Sequence, residues 1–168
     1  LVSGAFDFAL LNGGAPGIVR SYTAHFGFLP AGLGANLAVR REVFERLAGF
    51  DEALIAGEDI DLCWRAQLSG FRLAEVPAAI VAKRERSNPA GRRAQLMSYG
   101  RHDVELFLRY RDHGMPRNAR LTTKTYLWLL LNAPRTLWDR RCRSRWTRAF
   151  FVRLGRVRGS LAGRVMYL

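Results

Sequence analysis

Glu58, Asp59 and Asp61 are the residues whose types and spacing offer most to chemistry: three carboxylates within four positions, directly after Gly57. The run Gly57-Glu58-Asp59-Ile60-Asp61 continues into Leu62-Cys63-Trp64-Arg65, and Glu58 to Ser69 reads as a helix ended by Gly70. The acids therefore fall on its first turn. There the unpaired backbone N–H groups and the helix dipole favour negative charge, by about 0.3–1 kcal/mol for each exposed carboxylate. A general base must be ionised and rigidly held, and a helix start meets both needs. Asp61 has a second explanation, because Arg65 follows four residues later in the favourable orientation for an ion pair. Acids that merely stabilise a helix start are the competing reading for Glu58 and Asp59.

The elements around this run form a mixed α/β pattern. Phe6 to Leu11 reads as a short strand closed by the turn-rich Asn12 to Gly17. The glycine-rich stretch Pro30 to Asn36 leads into Leu37-Ala38-Val39. Arg41 to Ala48 reads as a two-turn helix with Val43, Phe44 and Leu47 on one face and Gly49 as its stop. Arg72 to Val76 and Ala79 to Lys83 read as two short strands around Pro77. After Pro89 the pattern turns helical, from Arg92 to Arg111, ended by Gly114-Met115-Pro116. Two domains follow, 1–88 and 89–168.

The ordered series in the first domain resembles the family 2 glycosyltransferases. It is carried by Gly34-Ala35-Asn36-Leu37-Ala38-Val39-Arg40-Arg41, Phe44, Gly49-Phe50-Asp51-Glu52 and Gly57-Glu58-Asp59-Ile60-Asp61-Leu62-Cys63-Trp64-Arg65. It is also similar to the C-terminal region of galactosyltransferases that share Gly-Glu-Asp. The resemblance is firm from Gly32 to Arg86. It implies an α/β fold, the C-terminal, acceptor-side half of a GT-A (Rossmann-like) enzyme, followed by a basic helical extension. It also implies that Asp59 is the catalytic base of an inverting transfer, with Glu58 binding acceptor hydroxyls. Gly57 would let the backbone approach the sugar, and the loop holding Gly34 and Asn36 would line the pocket; a turn role is the alternative for Asn36. Arg84 and Arg86 fall where the family places basic groups near the diphosphate, a solvated basic loop being the alternative. Ala82 stands where many members carry His.

The partners implied are a nucleotide-sugar donor and a hydroxyl acceptor, a glycan or a lipid-linked sugar of the cell envelope. A divalent cation, Mg or Mn, is expected of the whole family, on an Asp-x-Asp motif that does not precede the Gly-Ala-Asn loop. Asp59-Ile60-Asp61 has that spacing but lies on the base-bearing helix, so the chain reads as a fragment whose donor half is elsewhere and whose own residues hold no metal. It opens at Leu1 in mid-pattern, without signal-peptide architecture.

Charge and cysteine count bound the remainder. The net charge is +13, yet residues 1–116 carry 14 Lys/Arg against 13 Asp/Glu. Residues 117–168 carry 13 against Asp139 alone, so inferences from charge to partner apply to the tail. Tyr126 to Leu131 is apolar but far short of the roughly 20 residues that span a bilayer. From Leu137, Trp138, Cys142, Trp146, Phe150 and Leu154 recur every fourth residue among arginines. Thr136 to Arg158 thus reads as a basic amphipathic helix, lying on an anionic membrane surface or packing on a core. The single aromatic stripe favours lipid over nucleic acid. Cys63 and Cys142 have neither zinc nor disulfide spacing, and a reducing setting fits: cytoplasmic, peripheral on the inner face of the plasma membrane. Two further readings are a non-catalytic remnant and a basic binding module.

Overall fold

A computed structural model describes residues 1–12, 17–84, 88–117 and 119–167, with only the backbone of His25. The chain divides into two compact units, residues 1–86 and 87–168.

The first unit is built on a mixed sheet around β1 (Val2–Asp7). In chain order there follow α1 (Ala9–Asn12), β2 (Ile18–Arg20), β3 (Thr23–Ala24), β4 (Pro30–Ala31), β5 (Leu37–Ala38), α2 (Arg41–Arg46), α3 (Glu58–Leu68) and β6 (Ala74–Ala82). β1 pairs antiparallel with β2 through Ala5–Asp7 and with β5 through Val2–Ser3, and parallel with β6 along its length. β3 and β4 make a small antiparallel pair. Phe6, Leu62, Cys63, Trp64 and Ala66 are buried at the centre.

Two strand expectations are corrected. β1 begins well before Phe6 and stops at Asp7, because the Asp7 carboxylate accepts the Ala9 N–H at 2.7 Å and turns the chain into α1. Pro77 does not separate two strands, since β6 runs through it. The register slips between Ser3↔Glu75 and Ala5↔Ile80, leaving Pro77 in a bulge where no ladder N–H is required.

The second unit holds three helices, α4 (Pro89–Tyr110), α5 (Ala119–Asn132) and α6 (Arg140–Ala162). α4 starts earlier than Arg92, with Asn88 accepting the Ala90 N–H and Pro89 at the first helical position. α4 and α6 approach backbone to backbone at glycines. A Cβ on Gly100 would lie 1.9 Å from the Val152 carbonyl oxygen, and one on Gly155 would lie 2.1 Å from that of Met97. Arg156 and Asp103 close the same contact with a 2.8 Å ion pair. Gly155→Ala must push the helices apart, at a cost of about 1–3 kcal/mol. Thermal unfolding should show a lowered Tm, and an unchanged Tm would count against this close approach.

The basic stripe of α6 is also corrected. Asp139 caps the helix through the Cys142 N–H at 3.0 Å, so Leu137 and Trp138 lie in the turn before it. Cys142 is buried, and the Trp146 indole donates to the Leu129 carbonyl of α5 at 2.9 Å while stacking on Phe150. The middle of the stripe packs within the unit, because the neighbouring helix covers it. Among the described residues no helix is long and apolar enough to cross a membrane.

Candidate active site

The site is assembled by one face of α3 running alongside the glycine loop. Asp59 Oδ2 accepts the Gly34 N–H at 2.6 Å, Cys63 Sγ accepts the Gly32 N–H at 3.5 Å, and Gln67 Nε2 donates to the Pro30 carbonyl at 2.8 Å. Positions 59, 63 and 67 are one helical turn apart, while 34, 32 and 30 step by two in the opposite direction. Four helical residues advance about 6 Å and two extended residues about 6.6 Å, so the two repeats stay in step. The loop is stitched to the helix at three successive points. Trp64 adds a fourth from the same helix, its indole donating to the Leu29 carbonyl at 2.8 Å, with the Phe28 ring edge-on at 5.1 Å.

Burial pushes the Cys63 thiol up to about 11. It is a packing group under the loop, not a nucleophile.

Gly57 has φ 79°, a left-handed conformation that disfavours any residue with a side chain, and its carbonyl accepts the first bond of α3 from the Asp61 N–H at 2.9 Å. Glu58 and Asp59 are half-buried on the opening turn. Asp59 Oδ1 also accepts the Ile60 N–H at 2.8 Å. Each of its oxygens thus has one protein donor and keeps a lone pair for a proton. The Glu58 carboxylate makes no hydrogen bond or ion pair among the described residues.

Asp61 points the other way. It is 1% exposed and bonds Arg65 Nε at 2.7 Å, while the guanidinium donates to the Leu47 and Gly49 carbonyls at 2.5 and 2.7 Å. This pair ties α3 to the end of α2. Three neighbouring acids therefore have three surroundings.

Asn36 ends the short turn Gly34–Asn36 before β5, and its side chain reaches into the sheet. Its Nδ2 donates to the Ala5 carbonyl at 2.9 Å and the Ala79 carbonyl at 2.8 Å, filling the β1–β6 bulge. A Cβ on Gly4 would sit 2.2 Å from both Asn36 Nδ2 and the Ala79 oxygen, which explains the glycine there. Beside this plug is a hollow of about 300 Å³ lined by Ser3, Gly34, Ala35, Asn36, Val76 and Ala79, among others. Glu58 and Asp59 do not line it; Asp59 is joined to its wall through Gly34.

Arg84 is exposed just beyond β6, and Arg86 lies outside the described residues. Lys83 is drawn back, its ammonium 4.6 Å above the Phe6 ring. Gln67 and Gly4 escaped the sequence reading, although the i, i+4 spacing of Asp59, Cys63 and Gln67 is a signal for a shared face. Among the described residues no three His, Cys, Asp or Glu side chains gather to hold a metal. Asp61 is paired with Arg65 while Asp59 faces the glycine loop, so the two aspartates of Asp59-Ile60-Asp61 have different partners.

The arrangement is a carboxylate held by a glycine loop at a helix start, on a mixed α/β sheet. Residues 18–98 match the family described as glycosyltransferase like family 2, and this stretch of the chain belongs to that family. Over 82 residues the chain is 35% identical to the pre-mycofactocin glycosyltransferase of Mycobacterium tuberculosis strain CDC 1551 / Oshkosh, and equally to that of strain ATCC 25618 / H37Rv. The match takes in 49% of this chain and spans 17% of the length of those relatives. No solved structure matches.

Proposed function

We propose that the chain supplies the acceptor side of an inverting glycosyltransferase, with Asp59 as its base. The observation that supports this is the Asp59 carboxylate held by the Gly34 N–H at 2.6 Å with lone pairs to spare. The acceptor hydroxyl gives its proton to Asp59 while its oxygen attacks the anomeric carbon of a nucleotide sugar. The bond from that carbon to the diphosphate breaks, the nucleoside diphosphate departs with the electron pair, and configuration inverts. Glu58, its carboxylate unengaged among the described residues, binds acceptor hydroxyls. Gly57, Gly34 and Asn36 shape the wall that the sugar approaches, and Arg84 and Arg86 neutralise the diphosphate. The divalent cation of the family would be held by residues outside this segment.

The acceptor is a glycan or lipid-linked sugar of the cell envelope, reached at the inner face of the plasma membrane. The 35% identity to the mycobacterial relatives favours a second acceptor, pre-mycofactocin. The test is to assay the full-length protein with a panel of nucleotide sugars against glycan, lipid-linked and pre-mycofactocin acceptors, reading the product anomer by NMR. An inverted linkage is expected. Retention of configuration, or no turnover with any pair, would overturn the reading.

A further inference from the structure

The apolar surface of the second unit lies where the periodicity of α6 does not point. Leu127, Leu130 and Leu131 share one face of α5, at i, i+3 and i+4, and Leu137 and Trp138 follow in the turn before α6. These five side chains are between 55% and 78% exposed. Arg135, Arg140 and Arg141, all exposed, flank the turn. Its one acid, Asp139, is engaged by Arg135 at 3.1 Å and by the Cys142 N–H.

Bordering the leucines is a hollow of about 370 Å³ lined by Lys124, Thr125, Trp128, Arg145 and Ala149. Lys124 stands three residues before Leu127 and Trp128 three before Leu131, which makes the hollow and the leucine face neighbours on α5. Arg145 lies 5.7 Å above the Trp128 ring. Two cations around an aromatic floor match a phosphate headgroup, and the leucines beside them match acyl chains.

We infer that this corner, from Lys124 to Arg145, is a docking surface for an anionic lipid bilayer. Leu127, Leu130, Leu131 and Leu137 enter the acyl boundary, Trp138 sits at headgroup depth, and Lys124 and Arg145 hold a lipid phosphate. Charge complementarity selects this occupant: residues 117–168 carry 13 Lys/Arg against one acid. A second copy would set like charge against like charge across the contact. Single-stranded nucleic acid needs a row of exposed rings for stacking, and here one exposed ring, Trp138, stands among four leucines. The surface is distinct from the proposed transfer site and involves neither Asp59 nor Glu58.

Sedimentation of the 168-residue chain with vesicles tests this. Binding is expected to vesicles of phosphatidylglycerol with phosphatidylcholine, to weaken as salt rises, and to vanish on phosphatidylcholine alone. The double variant Leu130→Asp with Leu131→Asp should lose on the order of tenfold in partitioning, and its circular dichroism should be unchanged because both side chains are exposed. Lys124→Gln with Arg145→Gln should lose several-fold and flatten the salt dependence. Four results would overturn the inference: no binding by the unaltered chain, equal binding by the leucine variant, preference for single-stranded nucleic acid, or a dimer that the leucine changes dissociate.

Discussion

Asp59→Asn should lower sugar transfer by about 10²–10⁴-fold in the full-length protein while the fold survives, the loss expected when a positioned base is removed. The substitution largely separates basicity from position. The Asn side-chain oxygen still accepts the Gly34 N–H that Asp59 receives at 2.6 Å, so the glycine loop stays latched to α3. What disappears is the ability to take the acceptor proton, together with the local bond from the Ile60 N–H to the second oxygen. The loss should fall on kcat, with donor and acceptor KM moving little, because the interaction removed is realised in the transition state. Steady-state kinetics beside circular dichroism and thermal unfolding make the measurement. A variant that keeps activity within a few-fold of the parent, at equal folded fraction, would remove Asp59 from the base role.

The parts of this architecture that were legible in the sequence are those decided within a few residues. α3 could be placed from its opening acids and from Gly70, which ends it with φ 85°. The Asp61–Arg65 pair followed from i, i+4 spacing alone, and the structure has it at 2.7 Å. Features that depend on a distant partner were not legible. Pro77 is a strand breaker by local rules, and only the parallel pairing to β1 makes it a bulge within one strand. Asn36 reads as a turn residue and sits in a turn, but the two carbonyls its amide binds at that bulge are invisible to local rules. Ser3 and Gly4 interrupt the apolar pattern of β1, so the strand was placed too late. Their meaning lies in Ser21, whose hydroxyl bonds both Ser3 Oγ and the Gly4 carbonyl. Likewise, periodicity in α6 reported one apolar face but not its cover. Cys142 and Trp146 are taken up by the unit, whereas Trp138, one turn earlier in the same pattern, is left outside.

The proposed transfer site follows the same division. The three acids of Gly57 to Asp61 are equivalent in the sequence as helix-start carboxylates. Their surroundings separate them: Asp59 meets the loop, Glu58 is unengaged among the described residues, and Asp61 turns inward. The separation comes from α3 lying between two segments, the glycine loop on one face and the end of α2 on another. Asp59, Cys63 and Gln67 serve the first, Asp61 and Arg65 the second. Asp59 can face the loop here because its neighbour two positions on ties α3 to α2.

Asp61→Ala should therefore be a stability variant. Asp61 is 1% exposed, and its removal leaves a half-buried Arg65 guanidinium without its carboxylate. Two neutral carbonyls, Leu47 and Gly49, still bind that guanidinium but cannot balance its charge. Breaking a buried pair from one side costs about 3–5 kcal/mol, more than the pair itself contributes, because a desolvated charge is stranded. With about 4–8 °C for each kcal/mol in a unit the size of residues 1–86, Tm falls by on the order of 20 °C. Asp61→Asn should lose less, since its amide oxygen can still accept from Arg65 Nε. Thermal and urea unfolding measure the loss, and transfer per folded molecule should change by no more than a few-fold. The two aspartates thus make opposite predictions, one losing turnover with the fold retained and the other the reverse. If Asp61→Ala abolished transfer at equal folded fraction while Asp59→Asn spared it, the base would be Asp61, and α3 would present its second aspartate, not its first, to the acceptor.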